Sequence, residues 1–571
     1  MTNGLAVADY AIIAGFFAVM LGIGFYFSGR MKSMSQFFGG GKQVPWWLGG
    51  VSFFMVSFSA LAFVMHSEMV YKYGMVSLVL SWLAVPAAAL SAYLFARRWR
   101  RVAETSPIEY IEVRYGSGMR QGLAWLGLPT RLLDDSLKLF AIGTVVSAGL
   151  GFPFETAIIL CAVIILCYTF MGGLWAALVA DFVQFAVLVA AVIVLPFLSF
   201  SRAGGVRNVL NAMPESFFNP TCPDAGYPFV YLLCYFVLLF LNYSTSWALA
   251  QRYYSSENDR SARKVGYLVA VLYLIGTSIF YLPAFAALVF LPDIANTKDV
   301  YPLICRTVLP VGMLGMVIAA MFSATMSTLA GDYNAVSSVL TNDLYKRLHK
   351  RDLSEKHLLV VGRINTVIVG LIVLGITLVM RTLQGSGDLF NTMAKVFGLF
   401  LPPVAIPMLL GMLTPRISAR GAQAGLFAGI IAGLAAFVLG AWHPVLRRAE
   451  FLTFWTAGVT LLVMTVVSAR MPDTGERREQ VLIFFKRFEK DDPGADGVEK
   501  KSADTSFLPI IAAGIAAVGV ILIAAVVLTG GLAEGFLSVC IGVALLAVAA
   551  ASVIAGMQCK TVTPFTARKV G

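Results

Sequence analysis

Runs of about 20 predominantly apolar residues recur along this chain of 571 residues, and no other feature limits its fold as strongly. A helix of that length spans the hydrocarbon core of a bilayer, where every backbone N–H and C=O must be satisfied within the helix. About fifteen such runs can be marked, near 8–29, 46–71, 76–97, 122–149, 153–171, 174–199, 227–251, 264–292, 302–346, 358–381, 387–412, 422–442, 450–469, 507–528 and 534–556. Only 13% of the residues are charged, against about a quarter in a soluble protein. The chain therefore reads as an all-α polytopic membrane protein embedded in a lipid bilayer. No basic segment precedes the first run, so no cleavable signal peptide is expected. The seven cysteines are scattered and form neither a disulfide pattern nor a metal motif.

The net charge of +12 does not point to nucleic acid, because the basic residues sit in short loops between apolar runs. Cytoplasmic loops are rich in Lys and Arg. Alternate loops carry Arg30, Lys32 and Lys42; Arg97, Arg98, Arg100 and Arg101; Arg252, Arg260, Arg263 and Lys264; Lys346, Arg347, Lys350 and Arg351; and Arg416 with Arg420. This pattern predicts an N-terminus outside and a C-terminus in the cytoplasm of a cell membrane. Arg202, Arg207, Arg447 and Arg448 run against it. Three parts are expected: an extra helix and loop over 1–45, a core over 46–412, and four helices over 413–571. The last two of these helices follow a charged linker, 470–506, whose composition suits a solvated loop.

Ionisable groups inside apolar runs cost several kcal/mol and call for a reason. His66, Glu68 and Lys72 cluster near a span end and read as interfacial residues. Asp134 and Lys138 stand at i and i+4, a spacing that lets one helix neutralise itself. Asp181 follows the Gly172-Gly173 break with apolar neighbours on both sides and suggests a cation-related role. The stretch SATMSTLAGDYN (323–334) adds Ser327, Thr328 and Asp332. Ala324, Ser327 and Thr328 share one helical face. Their oxygens suit a small hard cation, and back-bonding of Ser and Thr to their own helix is the alternative. GGVSFFMVSFSALAFVM (49–65) places Gly49, Gly50, Ser52, Ser57 and Ser59 in a span that can break in mid-membrane and free carbonyls for a cation. Asn242 to Ser246 interrupt a second span five spans later, a placement that suggests inverted repeats with a site between them.

Two motifs then carry a resemblance to the sodium:solute symporters. They are YTFMGGLWAALVADFVQ (168–184) and AAMFSATMSTLAGDYNAVSSVLTNDLYKR (319–347), with weaker echoes in ALAQRYY, LPAFAA and LGFP. The resemblance implies a LeuT-type core of five plus five inverted helices, about 46–199 and 227–412. It implies a sodium site made by the carbonyls of Met55, Phe58 and Ala324 and the hydroxyls of Ser327 and Thr328. Some members bind a second sodium through a residue equivalent to Asp181 and two further hydroxyls. Those two positions here are Ala330 and Gly331, so Asp181 serves either a second ion or coupling at the first site.

For a small-molecule solute, the resemblance implies a pocket near the membrane midplane. Its candidate residues are Ser57, Ser59, Ser81, Asp134, Asn242, Tyr243, Tyr273, Asn391 and Lys395. A carboxylate at Asp134 repels an acidic solute unless Lys138 or Lys395 compensates, and it accepts hydrogen bonds from the hydroxyls of a neutral one. The expected function is sodium-coupled symport of a sugar or related polyhydroxy compound. The alternatives are an amino acid, sialic acid or other organic acid as solute, or proton in place of sodium. No GxxxxGK[ST] loop or nucleotide-sized soluble domain occurs, which argues against an ATP-driven pump or another enzyme. The sequence carries no mark of oligomeric state.

Overall fold

A computed structural model describes residues 6–28, 38, 40–102, 106–346, 353–383, 389–489, 507–528 and 535–561, without the side chains of 28, 148–150, 171–172, 381–383, 389–392 and 555–561. Arg30, Lys32, Arg347, Lys350, Arg351 and linker residues 490–506 lie outside it, as does the side chain of Asn391. The described chain is almost wholly helical.

The helices that position the site are α1 (Val7–Ser28), α2 (Trp46–Ser57), α3 (Ala60–Tyr73), α4 (Met75–Val102), α5 (Glu109–Tyr115), α6 (Ser117–Leu150), α7 (Phe154–Phe170), α8 (Gly173–Arg202), α9 (Phe229–Thr245), α10 (Trp247–Tyr254) and α11 (Asp259–Phe290). They continue with α12 (Met313–Tyr345), α13 (Glu355–Leu383), α14 (Leu389–Leu413), α15 (Ala419–Leu439), α16 (Ala449–Arg470), α17 (Gly475–Glu489), α18 (Leu508–Leu528) and α19 (Phe536–Thr561). Eleven of these are single helices long and apolar enough to cross a membrane. Two bent pairs, α2 with α3 and α9 with α10, bring the number to thirteen. The charged α6 and the short α7 lie where two further spans were expected, and neither is both long and apolar enough to count as one.

The expected ninth span is shorter than its apolar run. Residues Val300–Val308 form a separate short helix, and the chain turns at Leu309 and Gly312 before α12 begins. From Met313 to Val339 every residue of α12 is buried, so this helix is the axis of the molecule. It packs on α8, α2, α6, α10 and α13. The added first helix α1 caps it: Asp9 Oδ1 accepts from the Gly315 N–H at 2.7 Å. On its other side, α1 packs against α18, which pairs with α19.

The boundary between α7 and α8 falls where the paired glycines suggested. Gly173 has φ 58°, a value that side chains other than glycine rarely adopt. The break in the first bent pair has another cause. Gly49 and Gly50 do not make it: a Cβ on Gly50 would lie 2.7 Å from Leu268, so that glycine serves the close packing of α11. The chain bends by 61° two turns later, at extended Phe58 and Ser59.

Part of the expected solvated linker is a packed helix. Val481 and Phe484 of α17 are buried, and Phe484 stacks on Tyr110 of α5. Arg97 and Arg101 donate to the carbonyls at the end of α17. The apolar positions in this charged stretch give it one face that must be covered.

Candidate cation and solute sites

Breaking a helix inside a membrane frees backbone groups that other parts of the protein must satisfy. At the α2/α3 break, hydroxyls supply the partners. The Ala60 N–H donates to Thr325 Oγ1 at 3.0 Å. Tyr273 Oη donates to the Ser57 carbonyl at 2.9 Å, and Ser57 Oγ donates to the Phe54 carbonyl at 3.0 Å. Thr328 Oγ1 faces three carbonyls at once: Ala324 at 2.9 Å, Phe58 at 3.1 Å and Met55 at 3.3 Å. A hydroxyl has one proton to donate, so it cannot satisfy all three. Ser327 Oγ, on the same helical face, is buried, makes no hydrogen bond of good geometry among the described residues, and lies within reach of the Asp181 carboxylate. Three carbonyls thus converge on one hydroxyl, with the buried Ser327 hydroxyl on the same helical face, and a small hard cation is bound by oxygens of this kind.

Asp181 of α8 stands behind this set. Its Oδ2 accepts a short hydrogen bond from Ser52 Oγ. Arg252 joins them: its Nε donates to Ser52 Oγ at 3.1 Å, and its Nη2 lies 3.7 Å from Asp181 Oδ2. Arg252 Nη1 also donates to the Ala248 carbonyl at 2.9 Å. Arg252 therefore does not belong to the basic loop in which the charge pattern put it. It is fully buried, because α10, the second half of a broken span, runs back into the protein. A Cβ at Gly331 would lie 3.0 Å from Val56 and 3.3 Å from Arg252 Nη2. The guanidinium thus borders the place that a hydroxyl at 331 would use. Asp181 Oδ1, also buried, makes no hydrogen bond of good geometry among the described residues, and the Ser327 hydroxyl is within reach of this carboxylate besides Ser52.

A second ionic cluster lies on α6 and α12. Lys138 Nζ is 2.8 Å from Asp134 Oδ2, 2.9 Å from Asp332 Oδ2 and 3.4 Å from Asp135 Oδ1. The expected i,i+4 pair on α6 is present, and Asp332 joins it from α12. One face of this cluster borders a cavity of about 120 Å³. Of the anticipated solute residues, the cavity brings together Ser57, Ser59, Asp134, Asn242 and Tyr243. Thr328 lines it too, so the cation set and the cavity adjoin.

Three anticipated residues lie elsewhere. Ser81 donates to its own helix at Leu78 and lies off the cavity. Tyr273 points its hydroxyl at Ser57, bracing the break instead of lining the space. Lys395 is half-buried and not part of the lining. His66 and Arg131 are polar lining residues that the sequence did not place at the solute site. His66 is 5% exposed, bonded to Ser77 Oγ at 3.0 Å and stacked on Tyr281, so it is not an interfacial residue. Arg131 precedes Asp134 by about one turn and lines the cavity as well. The signal for Arg131 was its place on the α6 face that also carries Asp134 and Lys138.

Comparison with known proteins bears on what this arrangement serves. The sodium/sialic acid symporter SiaT of Proteus mirabilis is 27% identical over 420 residues, covering 68% of this chain and 82% of its own. The sodium/glucose cotransporter of Vibrio parahaemolyticus is 27% identical, covering 72% and 81%. The sodium/mannose cotransporter of Bos taurus is 28% identical, covering 72% and 75%. A solved Na+-coupled sialic acid symporter, in a substrate-bound outward-open state, superposes with a TM-score of 0.74 at 22% identity, over 82% of this chain and 99% of that one. The closed conformation of Mhp1, a nucleobase-cation-symport-1 family transporter, superposes at 0.50 and 15% identity, over 76% and 95%. The fold is thus the LeuT-type helical architecture that the resemblance implied. Residues 37–429, which hold both bent pairs, Asp181 and the Ser327-Thr328 pair, match a single family profile. The chain belongs to the sodium:solute symporter family.

Proposed function

We propose that this protein moves a small hydroxyl-rich solute, a sugar or related polyhydroxy compound, across the cell membrane together with sodium. The observation that carries the reading is the single Thr328 hydroxyl set against the carbonyls of Met55, Phe58 and Ala324, with the buried Ser327 hydroxyl on the same helical face. A sodium ion there is held by all five residues and ties the α2/α3 break to α12. The transport core spans 46–412 in two inverted halves, 46–199 and 227–412. The arginine-rich side with α5 and α17 faces the cytoplasm.

Coupling follows from geometry. Sodium favours the conformation in which the break and α12 lie together, and that conformation also shapes the adjoining cavity. Separation of the two on inward opening dismantles the sodium site and releases both ligands. Each ligand drives the change only as far as it binds the two states unequally. The membrane potential adds about 2.3 kcal/mol per charge per 100 mV to inward sodium movement. Asp181, held by Ser52 and Arg252, positions the break and does not bind a second ion. In the cavity, Asp134 accepts hydrogen bonds from solute hydroxyls while Lys138 offsets its charge.

Uptake into proteoliposomes tests the reading. A sodium gradient is expected to drive accumulation, and a pH gradient without sodium is not. Thr328→Val, which keeps the shape and removes the oxygen, is expected to raise the half-saturating sodium concentration at least about tenfold, the equivalent of ~1.4 kcal/mol. Equal uptake on a pH gradient alone, or unchanged sodium dependence in Thr328→Val, overturns the assignment.

A further inference from the structure

Trp99, near the end of α4, is fully buried, and its Nε1 donates to the Ser244 carbonyl at 2.8 Å. That carbonyl is among the last four of α9, which a helix end leaves without a partner in its own helix. The indole therefore helps to hold the α9/α10 break, whose Asn242 lines the solute cavity. Tyr110 of α5 meets the Trp99 ring edge-on with centroids 5.5 Å apart, and Phe484 of α17 stacks on Tyr110 at 6.2 Å. Three buried rings thus join α17 to the break beside the solute.

The seat of α17 permits release. Asp473, just before the helix, is anchored: its Oδ1 accepts from the Ala419 N–H at 3.1 Å, and its Oδ2 lies 3.8 Å from Arg114 Nη1. The chain then turns at Gly475 with φ 57°, where a hinge needs glycine for its backbone and not for space. Beyond that turn only Val481 and Phe484 of fifteen residues are buried, and elements with few buried contacts open most readily. The last carbonyls of α17, at Arg487 and Phe488, accept from Arg97 and Arg101, as suits cations at a helix C-terminus. Both guanidiniums also reach Asp259 of α11, at 3.1 and 2.6 Å. Lifting α17 therefore leaves them an anionic partner instead of stranding them.

We propose that α17 is a latch on the transport core: seated, it holds Tyr110 against Trp99 and keeps the α9/α10 break closed toward the cytoplasm, and lifted about Gly475, it frees that break for inward opening. This rests on the symport function and the orientation proposed above. It adds a control to the shared core, because α17 lies beyond the residues that match the family profile. A seated latch favours the state in which the sodium site is intact. Unseating it lowers the fraction of molecules competent to bind sodium and weakens apparent sodium affinity in proportion.

The test compares Phe484→Ala, which empties the seat, with Ile483→Ala on the exposed face of the same helix. Each purified full chain is titrated with sodium, reading melting temperature. Phe484→Ala is expected to raise the half-saturating sodium concentration at least about threefold through the loss of the competent fraction. Phe484→Leu is expected to recover part of that change and carries the test if the alanine variant does not fold, and Ile483→Ala is expected to match the parent. Trp99→Phe keeps a ring beside Tyr110 and removes the N–H given to Ser244, so it too is expected to raise the half-saturating concentration. Because the rings act as one unit, the rise in the Phe484→Ala/Trp99→Phe double variant is expected to be smaller than the product of the single rises. A lower melting temperature with unchanged half-saturating sodium in the Phe484 variants overturns the latch and makes α17 a packing element only. Single rises that multiply exactly in the double variant overturn the ring route. A parent chain that sodium does not stabilise removes the symport function and the latch with it, whereas a sodium-stabilised parent with unmoved variants removes the latch alone.

Discussion

Asp181 on α8 and Asp332 on α12 are both buried carboxylates beside the same broken helix, yet their partners differ in kind. Asp181 meets one guanidinium, and Ser52 bridges the two. That network is neutral as a pair and sealed, with Ser52 and Arg252 both at 0% exposure. Asp332 shares one ammonium with Asp134 and Asp135, three carboxylates to one cation within 4 Å, and the cluster opens on a cavity. A sealed neutral pair holds a backbone shape. An unbalanced cluster facing a cavity can change partners when a polar solute arrives. The first therefore belongs to the frame of the cation site and the second to the solute.

Lys138→Met gives the strongest way to break this distinction. It leaves three carboxylates without their cation, and breaking a buried ionic group in this way costs about 3–5 kcal/mol. The expected result is a large drop in melting temperature of the purified protein, with Lys138→Arg recovering most of it. A Lys138→Met protein as stable as the parent would mean that the carboxylates do not need the ammonium. Arg252→Met has a smaller expected effect, about 3 kcal/mol, the lower end of that range, because it leaves one buried carboxylate unpaired instead of three. Because the sealed network is one unit, Asp181→Asn combined with Arg252→Met should cost less than the sum of the two single changes. Strict additivity in that cycle would show that Asp181 and Arg252 act separately, and would reopen Asp181 as an ion ligand.

The same two clusters differ in how far they could be read beforehand. Asp181, Ser327 and Thr328 stood out because each is polar inside a long apolar run, and the i, i+3, i+4 spacing put Ala324, Ser327 and Thr328 on one face. Their partner Arg252 did not, because it follows the apolar run WALA by one residue and resembles any loop arginine. Its burial arises only when α10 folds back at Ser246, a tertiary event that leaves no mark on local composition. Asp332 had no explanation in sequence for a similar reason. Its cation is 194 positions away on α6. The break itself was anticipated, but glycines were weighed with the hydroxyls as its cause, whereas Gly49 and Gly50 serve helix packing and hydroxyls from α11 and α12 hold the bend.

Tyr273 offers the finest discrimination between frame and solute. Resemblance puts it among the solute residues, but its hydroxyl donates to the Ser57 carbonyl at 2.9 Å, stands 3.0 Å from Ser57 Oγ and meets the Tyr243 hydroxyl. Its ring packs edge-on against Phe54 and beside Tyr243. Tyr273→Phe keeps the ring and removes one interhelical hydrogen bond, a change worth about 0.6 kcal/mol on average in membrane proteins. If the hydroxyl only braces the break, the variant loses a little stability and its half-saturating sodium concentration rises slightly, by less than about threefold on that energy. Solute affinity measured at saturating sodium then stays unchanged. A loss of solute affinity with normal sodium dependence would move Tyr273 into the solute site, and would mean that the cavity reaches this side chain in another conformation of the cycle.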